Sequence, residues 1–577
     1  MYNYAAPIDD YRFLLTQVLG FDDAMARMGR DVDADLAVAV LDEAGRFCAD
    51  ILHPLNREGD EQGSRLADGV VATPPGFADA YRAFVDAGWP SLAGEPEHGG
   101  QGLPFILQLW LDEMMSAANL SFGLFPGLTR GACEAIAAHA SDDLKASYLP
   151  PLVRGEWTGA MALTESGAGT DLALLKTRAT PTGDGRYAVT GTKIFISSGD
   201  HDLAPNIVHL VLARLPDAPA GVKGISLFLV PKFLPDDAGG FTLRNGMSVG
   251  ALEKKMGIHA QPTCVMNYDE AVGWLVGEPH RGLAAMFTMM NAERLMVGIQ
   301  GLGLAGAAYQ QAAGYAKERL QGRSADGARN PVPIIEHADV RRMLLQVRAF
   351  VEGGRALAGW VALQLDMARH HPDSAERSRA DALVALLTPV VKAAFTDMGF
   401  EGAVQAQQVF GGHGYIREWG MEQYVRDARI AQIYEGTNGV QAMDLVGRKL
   451  PLGGGAVVDG YFALIEADLE AAADLTVAAE TAKALDLLRG ATAALRDAGQ
   501  DAAGAAAVDY LRLFALVSLG WMWTRMAAAA TGDSPLLQGK RALADFFALR
   551  VLPQAQGLAP AIAAGEVSIM ALDADAF

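Results

Sequence analysis

A chain of 577 residues with a formal charge of −21 is too long for one hydrophobic core and too acidic to be drawn to nucleic acid or an anionic membrane. Half of its residues are hydrophobic and a fifth are charged, the balance of a globular enzyme, and local basic clusters leave room for an anionic cofactor. Cys48, Cys133 and Cys264 lie far apart and match no disulfide or metal spacing, which points to a reducing, cytoplasmic setting.

The opening MYNYAAPIDDYRFLL has no basic n-region and no apolar h-region, so no secretory signal is expected. To about residue 160 the pattern is helical. Asp33–Ile51 places Leu36, Val40, Leu41, Phe47 and Ile51 at helical spacing, and Phe77–Ala87, Leu107–Ala117 and Leu128–His139 repeat it. Pro54, Pro90, Gly99–Gly100 and Pro126 punctuate these segments. After Trp157 the character changes. Tyr187–Thr190, Thr192–Ser197, Ile207–Ala213, Ile225–Val230 and Thr263–Tyr268 are short, rich in β-branched and aromatic residues, and bounded by turn formers, so they predict an antiparallel β-domain. Gly183-Asp184-Gly185 suits a hairpin turn.

Helical periodicity returns at Gly282 and runs to about Leu450. Within it, Gly301–Gly306 formally matches GxGxxG. With no strand before it and no βαβ unit around it, the match reads as small residues for close helix packing, not as a dinucleotide site. Gly453-Gly454-Gly455 marks a boundary, and four or five Ala/Leu-rich helices follow. That block (455–577) carries 15 Asp/Glu against 8 Lys/Arg. Its most apolar stretch, Leu513–Thr524, lies between Arg512 and Arg525 and is about half the length that spans a bilayer, so it reads as a buried helix.

Four stretches could carry chemistry. In YVRDARIAQIYEGTNGVQAMD (424–444), Ile430, Ile433 and Tyr434 recur at helical spacing after Arg426, Asp427 and Arg429. This predicts a helix over Asp427–Tyr434 that ends at Gly436. Glu435 then sits at a helix-to-loop junction, either as a carboxylate against an apolar wall, tuned toward general-base work, or as a surface residue before a glycine cap. ALTESGAGTD (162–171) combines Gly167 and Gly169 with the hydroxyls of Thr164, Ser166 and Thr170. It suits a polar heterocycle edge or a phosphate, and equally an ordinary turn. TKIFISSG (192–199) is a strand with Phe195 and Ser197 on one face, readable also as core. QVFGGHGY (408–415) is a Gly-rich loop whose His413 reads first as a loop residue. There is no HExxH, no cysteine pair and no GxSxG, so neither a metal centre nor an acyl-serine mechanism is expected.

Together, ALTESGAGTD, ERLMVGIQGLGLA and QVFGGHGYIREWGMEQYVRDARIAQIYEGTNGVQ closely resemble the acyl-CoA dehydrogenase family of FAD flavoproteins over about residues 30–450. The N-terminal segment and the block after Gly455 resemble its longer bacterial branch, which includes the 3-(methylthio)propanoyl-CoA dehydrogenases. The resemblance implies an α+β multidomain chain. It divides into an N-terminal helical domain (1–160), a central antiparallel β-domain (161–281), a four-helix-bundle domain carrying FAD and base (282–452) and a helical extension (453–577).

Residue by residue, the resemblance puts Leu163 and Thr164 beside the flavin pyrimidine and Thr170 near the pyrophosphate. Phe195 stands for a Trp that covers one flavin edge, and Ser197 for a Thr near N5. Gln408, Gly411 and Gly412 match the loop that reaches a neighbouring subunit's cofactor, and Thr437 the residue near the ADP part. Arg319 matches the arginine of a YxxxRxxFG motif, although Gly322-Arg323 replaces its Phe-Gly. Ser166, Thr170, Glu293, Arg294 and Gly436 fall on the substrate side, and Glu435 takes the place of the base.

The implied reaction follows. Glu435 removes the pro-R α-proton while the β-hydride passes to flavin N5, giving a trans-2-enoyl-CoA. The Glu435 N–H and a ribityl hydroxyl stabilise the enolate-like thioester oxygen. Glu293, from whose position a minority of the family supplies its base, reads here as an ion-paired helix residue beside Arg294. The resemblance further implies a short acyl group, an electron-transfer flavoprotein as acceptor, and a homodimer whose extension covers the surface other members use to form tetramers. Alternatives are a dehydrogenase for longer or aryl-substituted acyl groups, an acyl-CoA oxidase, and a DNA-associated relative of the alkylation-response group, which the acidic extension argues against.

Overall fold

The computed structural model describes residues 3–236, 238–324, 327 and 331–577; Met1 and Tyr2 of the N-terminal segment lie outside them. The chain forms two compact units. One comprises Phe47–Leu103 and Ala118–Met296; the other comprises the residues up to Arg46, Pro104–Ala117 and Val297–Phe577. The helical stretch Phe105–His139, broken at Asn119, and helix Gly282–Glu318 each contribute residues to both units.

The first unit contains the sheet. A hairpin of β1 (Arg65–Ala67) and β2 (Val70–Ala72), unforeseen in the sequence, precedes β3 (Thr158–Ala162), β4 (Arg178–Pro181), β5 (Tyr187–Ser197), β6 (Ile207–Arg214) and β7 (Ile225–Pro231). After β8 (Phe233–Pro235) and β9 (Phe241–Arg244) come β10 (Met247–Leu252) and β11 (Thr263–Val276). The order is β10-β11-β5-β4-β6-β3, and β7 pairs with both β6 and β11. The path from β11 through β5, β4, β6 and β7 therefore returns to β11.

Pairing is mainly antiparallel, as expected, but β3 runs parallel to β6. The Gly183–Gly185 turn joins β4 to β5 as expected, with Pro181 opposite Tyr187. β6 and β7 are buried along nearly their whole length because both of their faces carry a core. Val208, Leu210, Leu227 and Leu229 face one cluster with Leu128, Ile136 and Met286, while Val211, Phe228 and Val230 face another with Val189, Ile196 and Met266. Leu128–His139, expected as a helix separate from Leu107–Ala117, belongs to a helix that begins earlier than expected, just after a break in Phe105–His139 at Asn119. Asn119 takes φ −162°, ψ 90° there, and its side-chain oxygen accepts the Phe122 N–H.

The second unit is helical. Helices Ala338–His370, Ser374–Val409, Met421–Ala431 and Asn438–Asp444 pack with Val297–Glu318. Close packing accounts for the glycine cluster: a Cβ at Gly301 would lie 2.5 Å from the Phe395 carbonyl oxygen, and one at Gly399 would lie 2.4 Å from that of Gly301. Gly453, Gly454 and Gly455 all take positive φ, turning the chain into five α-helices: Ala456–Ala471, Thr476–Arg496, Gln500–Ala529, Pro535–Phe546 and Ala555–Ala563. The apolar Leu513–Thr524 is the middle of the 30-residue Gln500–Ala529. That helix and Ser374–Val409 are long and apolar enough to cross a membrane, but 61% and 83% of their apolar windows are buried inside the protein.

Candidate active site

Glu435 lies in the connector between helices Met421–Ala431 and Asn438–Asp444. The α-helix ends at Ala431, but the Ile433 and Tyr434 N–H groups still bond the Ile430 carbonyl (2.8 and 3.1 Å), and the chain leaves helical geometry at Glu435. The Gln432 amide donates to Asp397 Oδ1 (2.6 Å) and the Tyr434 hydroxyl to Gln300 Oε1, while Ile433 is left 45% exposed. Glu435 adopts φ +56°, a left-handed conformation costly for a side chain with a Cβ, and its residue is half-buried. Side chains hold the strained peptide in place: Lys392 Nζ donates to the Gly436 carbonyl (2.8 Å) and to Asn438 Oδ1 (2.9 Å), and Gln441 Nε2 donates to the Glu435 carbonyl (3.1 Å). Asn438 Nδ2 in turn reaches Asp397 Oδ1 (2.7 Å) and Thr396 Oγ1 (2.9 Å). Thr437 caps the next helix, its Oγ1 accepting the Val440 N–H.

In the other unit, ALTESGAGTD and TKIFISSG come together. The Ile194 N–H donates to the Thr164 carbonyl (2.9 Å), bringing Leu163 and Thr164 alongside β5. Across from β11 the register slips between Cys264 and Met266, a bulge at which Phe195 takes φ +59°. Its ring is 59% exposed, not core. Ser166, Gly167, Gly169 and Thr170 are exposed as well. Among the described residues, no protein group accepts from the N–H of Thr164, Ser166, Gly167 or Thr170. An open aromatic face beside hydroxyls and uncommitted N–H groups is a donor set that fits a polar heterocycle with a phosphate tail.

The other candidates divide between the units. Glu293 is buried, its Oε1 2.3 Å from where a Cβ on Gly131 would stand. The Arg294 guanidinium lies 5.9 Å from the Phe287 ring centroid. Gln408, Gly411 and Gly412 are exposed at the end of Ser374–Val409, and nothing lies within 4 Å of either glycine's Cβ position. His413 is structural: its Nδ1 meets the Tyr315 hydroxyl (2.9 Å) and its ring stacks on Trp419 at 4.5 Å. Arg319 is exposed just beyond Gly282–Glu318. At Gly322, a Cβ would stand 2.9 Å from His337 Nε2, so His337 fills the space a larger side chain there would need.

Family profiles match successive parts of the chain: acyl-CoA dehydrogenase N-terminal domain at 36–156, middle domain at 160–271, C-terminal domain at 280–450, and acetyl-CoA dehydrogenase C-terminal like at 461–573. A 3-methylmercaptopropionyl-CoA dehydrogenase of Ruegeria pomeroyi is 45% identical over 95% of this chain and 96% of its own. The chain belongs to the acyl-CoA dehydrogenase family. This acyl-CoA dehydrogenase is also 34% identical to a butyryl-CoA dehydrogenase of Syntrophomonas wolfei, over 93% of each chain. Its fold matches that of a Bacillus anthracis acyl-CoA dehydrogenase complexed with FAD, with a TM-score of 0.75, 21% identity, and coverage of 93% of this chain and 89% of that one.

Sequence reasoning missed the residues that hold the acyl-CoA dehydrogenase's motifs in place: Lys392, Asp397 and Gln441 around Glu435, and Lys193 with Thr177 around Thr164. A signal was present. Lys392 sits alone in the apolar run Leu383–Phe395, and Lys193 alternates with Ile194 and Ile196 within TKIFIS. A lone lysine on a buried face needs a partner.

Proposed function

We propose that this enzyme carries out FAD-dependent α,β-dehydrogenation of a short acyl-CoA thioester, with 3-(methylthio)propanoyl-CoA as the first candidate, and passes the electrons to an electron-transfer flavoprotein. The observation that carries the reading is Glu435, a carboxylate on a strained backbone held from two helices. Strain of this kind persists only where the surroundings over-determine it, and it clusters at active sites. Glu435 takes the α-proton. Gly436, Ser166, Thr170, Glu293 and Arg294 shape the substrate side.

Leu163, Thr164, Thr170, Phe195 and Ser197 hold the flavin. Thr437, Arg319 and the exposed Gln408, Gly411 and Gly412 meet the cofactor's far end, the last three on a second copy of the chain. When bound, FAD supplies the hydride acceptor. Substrate class is supported by the 45% identity to the Ruegeria pomeroyi enzyme and by the butyryl-CoA dehydrogenase relative. The enzyme works in the cytoplasm as a homodimer, and the four domains divide at residues 160, 281 and 452.

A panel of acyl-CoAs with a dye acceptor tests the reading. The highest kcat/KM is expected for a four- or five-atom acyl chain such as the methylthiopropanoyl group. A preference for chains of ten carbons or more overturns the substrate assignment, and failure of the purified protein to take up FAD overturns the whole. Light scattering in dilute buffer checks the dimer.

A further inference from the structure

Lys193 has no exposed side-chain surface, and Glu165 retains only 9% of its own. Burying such a pair removes both charges from water, and an apolar pair of equal volume is often as stable or more so. Stability alone therefore does not explain these residue types. Their hydrogen bonds do. Lys193 Nζ donates to Glu165 Oε1 (2.9 Å) and to the Leu163 carbonyl (2.8 Å). The Glu165 carboxylate also accepts the N–H of Lys176 (2.7 Å), the N–H of Thr177 (3.0 Å) and the Thr177 hydroxyl (2.6 Å). One carboxylate thus anchors both ends of the loop that carries Ser166 to Thr170, and Glu165 and Ala168 close its tip with two backbone bonds. Burial pushes the Lys193 ammonium down to about 8, against the opposing pull of Glu165.

Lys193 also fixes a direction. In a trans peptide the C=O and the following N–H point opposite ways. Because the Leu163 carbonyl turns inward to Lys193, the Thr164 N–H turns away from the buried ammonium, and no protein group among the described residues accepts it. The Thr164 carbonyl is already taken by Ile194. We propose that Lys193 and Glu165 are positioning residues for the cofactor: the pair holds the Leu163–Thr164 peptide so that the Thr164 N–H is presented to the flavin edge, and ties that peptide to the strand bearing Phe195. This rests on the assignment of Leu163 and Thr164 to the flavin.

The test separates positioning from stability. Lys193→Met should lower both the thermal midpoint and the affinity of the apoprotein for FAD, followed by flavin fluorescence. Lys193→Met/Glu165→Gln replaces the ion pair with a neutral one that still offers an acceptor to the Lys176 and Thr177 N–H groups, so part of the midpoint should recover. FAD affinity should stay at least about tenfold weaker, because the peptide is no longer pre-organised, and the visible flavin band should be shifted from the wild-type position. Thr177→Val keeps the pair but removes one anchor of Glu165, and should weaken FAD binding by about fivefold with little change in midpoint. The proposal is overturned if the double variant, or Thr177→Val where the double variant does not fold, binds FAD within about twofold of wild type with an unshifted spectrum. A wild-type protein that binds FAD while Thr164→Pro, which lacks the N–H, binds it equally well instead removes the underlying flavin assignment.

Discussion

Lys392 Nζ lies 2.8 Å from the carbonyl oxygen of Gly436, the residue after the candidate base, and Lys392 itself is fully buried. An ammonium in that position fixes the Glu435–Gly436 backbone more firmly than solvent could, because charge-assisted bonds strengthen out of water. Lys392→Met should leave the Gly436 carbonyl and Asn438 Oδ1 short of a donor, costing about 1–3 kcal/mol of stability. Loss of alignment at the base should lower kcat by about 100-fold, while the protein still binds FAD, since Lys392 belongs to the clamp and not to the cradle around Thr164. Steady-state kinetics on FAD-loaded protein checks this. A wild-type kcat in the variant would show that the connector holds its shape without Lys392.

Glu435 and Glu293 can be told apart directly. Glu293 is 2% exposed and packed against Gly131, whereas Glu435 is half-buried on a strained connector between helices. Glu435→Gln should leave the protein yellow but abolish bleaching by acyl-CoA, a loss of at least about 1000-fold in the reductive half-reaction, near what removing a positioned base costs. Glu293→Gln should bleach within about tenfold of wild type. Stopped-flow absorbance at the flavin band reads both. Bleaching that survives in the first variant and vanishes in the second reverses the assignment.

Phe195 offers a test of strain. At φ +59° with a largely exposed ring, it loses little packing on truncation. Phe195→Gly should relieve about 1 kcal/mol of backbone strain and lose a comparable amount to unfolded-state entropy. The thermal midpoint should then stay within a few degrees while FAD affinity falls. A large drop in midpoint would mean that the ring packs within the fold and does not wait for a ligand.

These experiments address residues that the sequence made legible to different degrees. Strands β5, β6, β7 and β11 and the long helices announced themselves by period, and three glycines marked the boundary at Gly453–Gly455, whereas the short strands β1 to β4 and β8 to β10 gave no such signal. Glu435, Phe195 and the ALTESGAGTD loop stood out as motifs. Period could not reveal that Phe195 is exposed, since a bulge against Cys264–Met266 turns it outward, and bulges depend on the partner strand. Nor could it stop the helix at Ala431. The connector that follows is fixed by Gln432, Tyr434 and Asn438 bonding to Asp397, Gln300 and Thr396, residues 35 to 134 positions away in sequence. Distance also hid Lys392 and Lys193, whose partners lie 28 to 46 positions away and include the Gly436 and Leu163 carbonyls, which carry no sequence signature.

The β-domain should be acid-sensitive. His209 sits between the Tyr268 hydroxyl at Nδ1 and the Gly199 carbonyl at Nε2, both 2.7 Å away, and the carbonyl, which can only accept, puts a proton on Nε2. Burial pushes it down to about 4. His201, accepting the Leu203 N–H at Nδ1, is pushed down to about 3 by burial and by the charge of Lys232. Unfolded, both rings titrate at the ordinary 6.5, so below that pH the unfolded chain binds more protons and stability falls as pH drops from 6.5 toward 4, by about 1.4 kcal/mol per unit per ring. Asp366, in the other unit, is raised to about 6 by burial. It acts oppositely between pH 4 and 6, but as one group against two. The thermal midpoint should therefore fall steadily below pH 6.5, and His209→Gln should flatten that dependence. An equal slope in the variant would assign the acid loss to other groups.

The C-terminal extension is joined to the start of the chain by a buried ionic cluster. Lys540, with no exposed side-chain surface, bonds Asp10 and, at 2.6 Å, Glu352. Arg355 bonds Asp10 and, at 2.6 Å, Glu113, and Glu113 accepts the Tyr11 hydroxyl at 3.1 Å. Burial works to raise Asp10, yet Lys540 and Arg355 hold it below the usual carboxylate range; at Glu113 burial prevails over Arg355 and the carboxyl is raised. Removing one partner of such a set strands the others. Lys540→Met should cost about 3–5 kcal/mol and lower the thermal midpoint by several degrees. Because Lys540 lies on the Pro535–Phe546 helix of the extension, the variant should also be cut faster within residues 456–577 under limited proteolysis. Asp10→Asn/Lys540→Met removes one charge of each sign, leaving Arg355 with Glu113 and Glu352 with Arg348 (2.5 Å). It should recover part of the loss, a coupling that a cycle of the two single variants and the double measures. If the losses are simply additive, the residues stand near one another without acting as a clamp, and the extension is held by its other contacts, such as Arg512 with Glu401 and the Trp523 ring N–H on the Ala349 carbonyl.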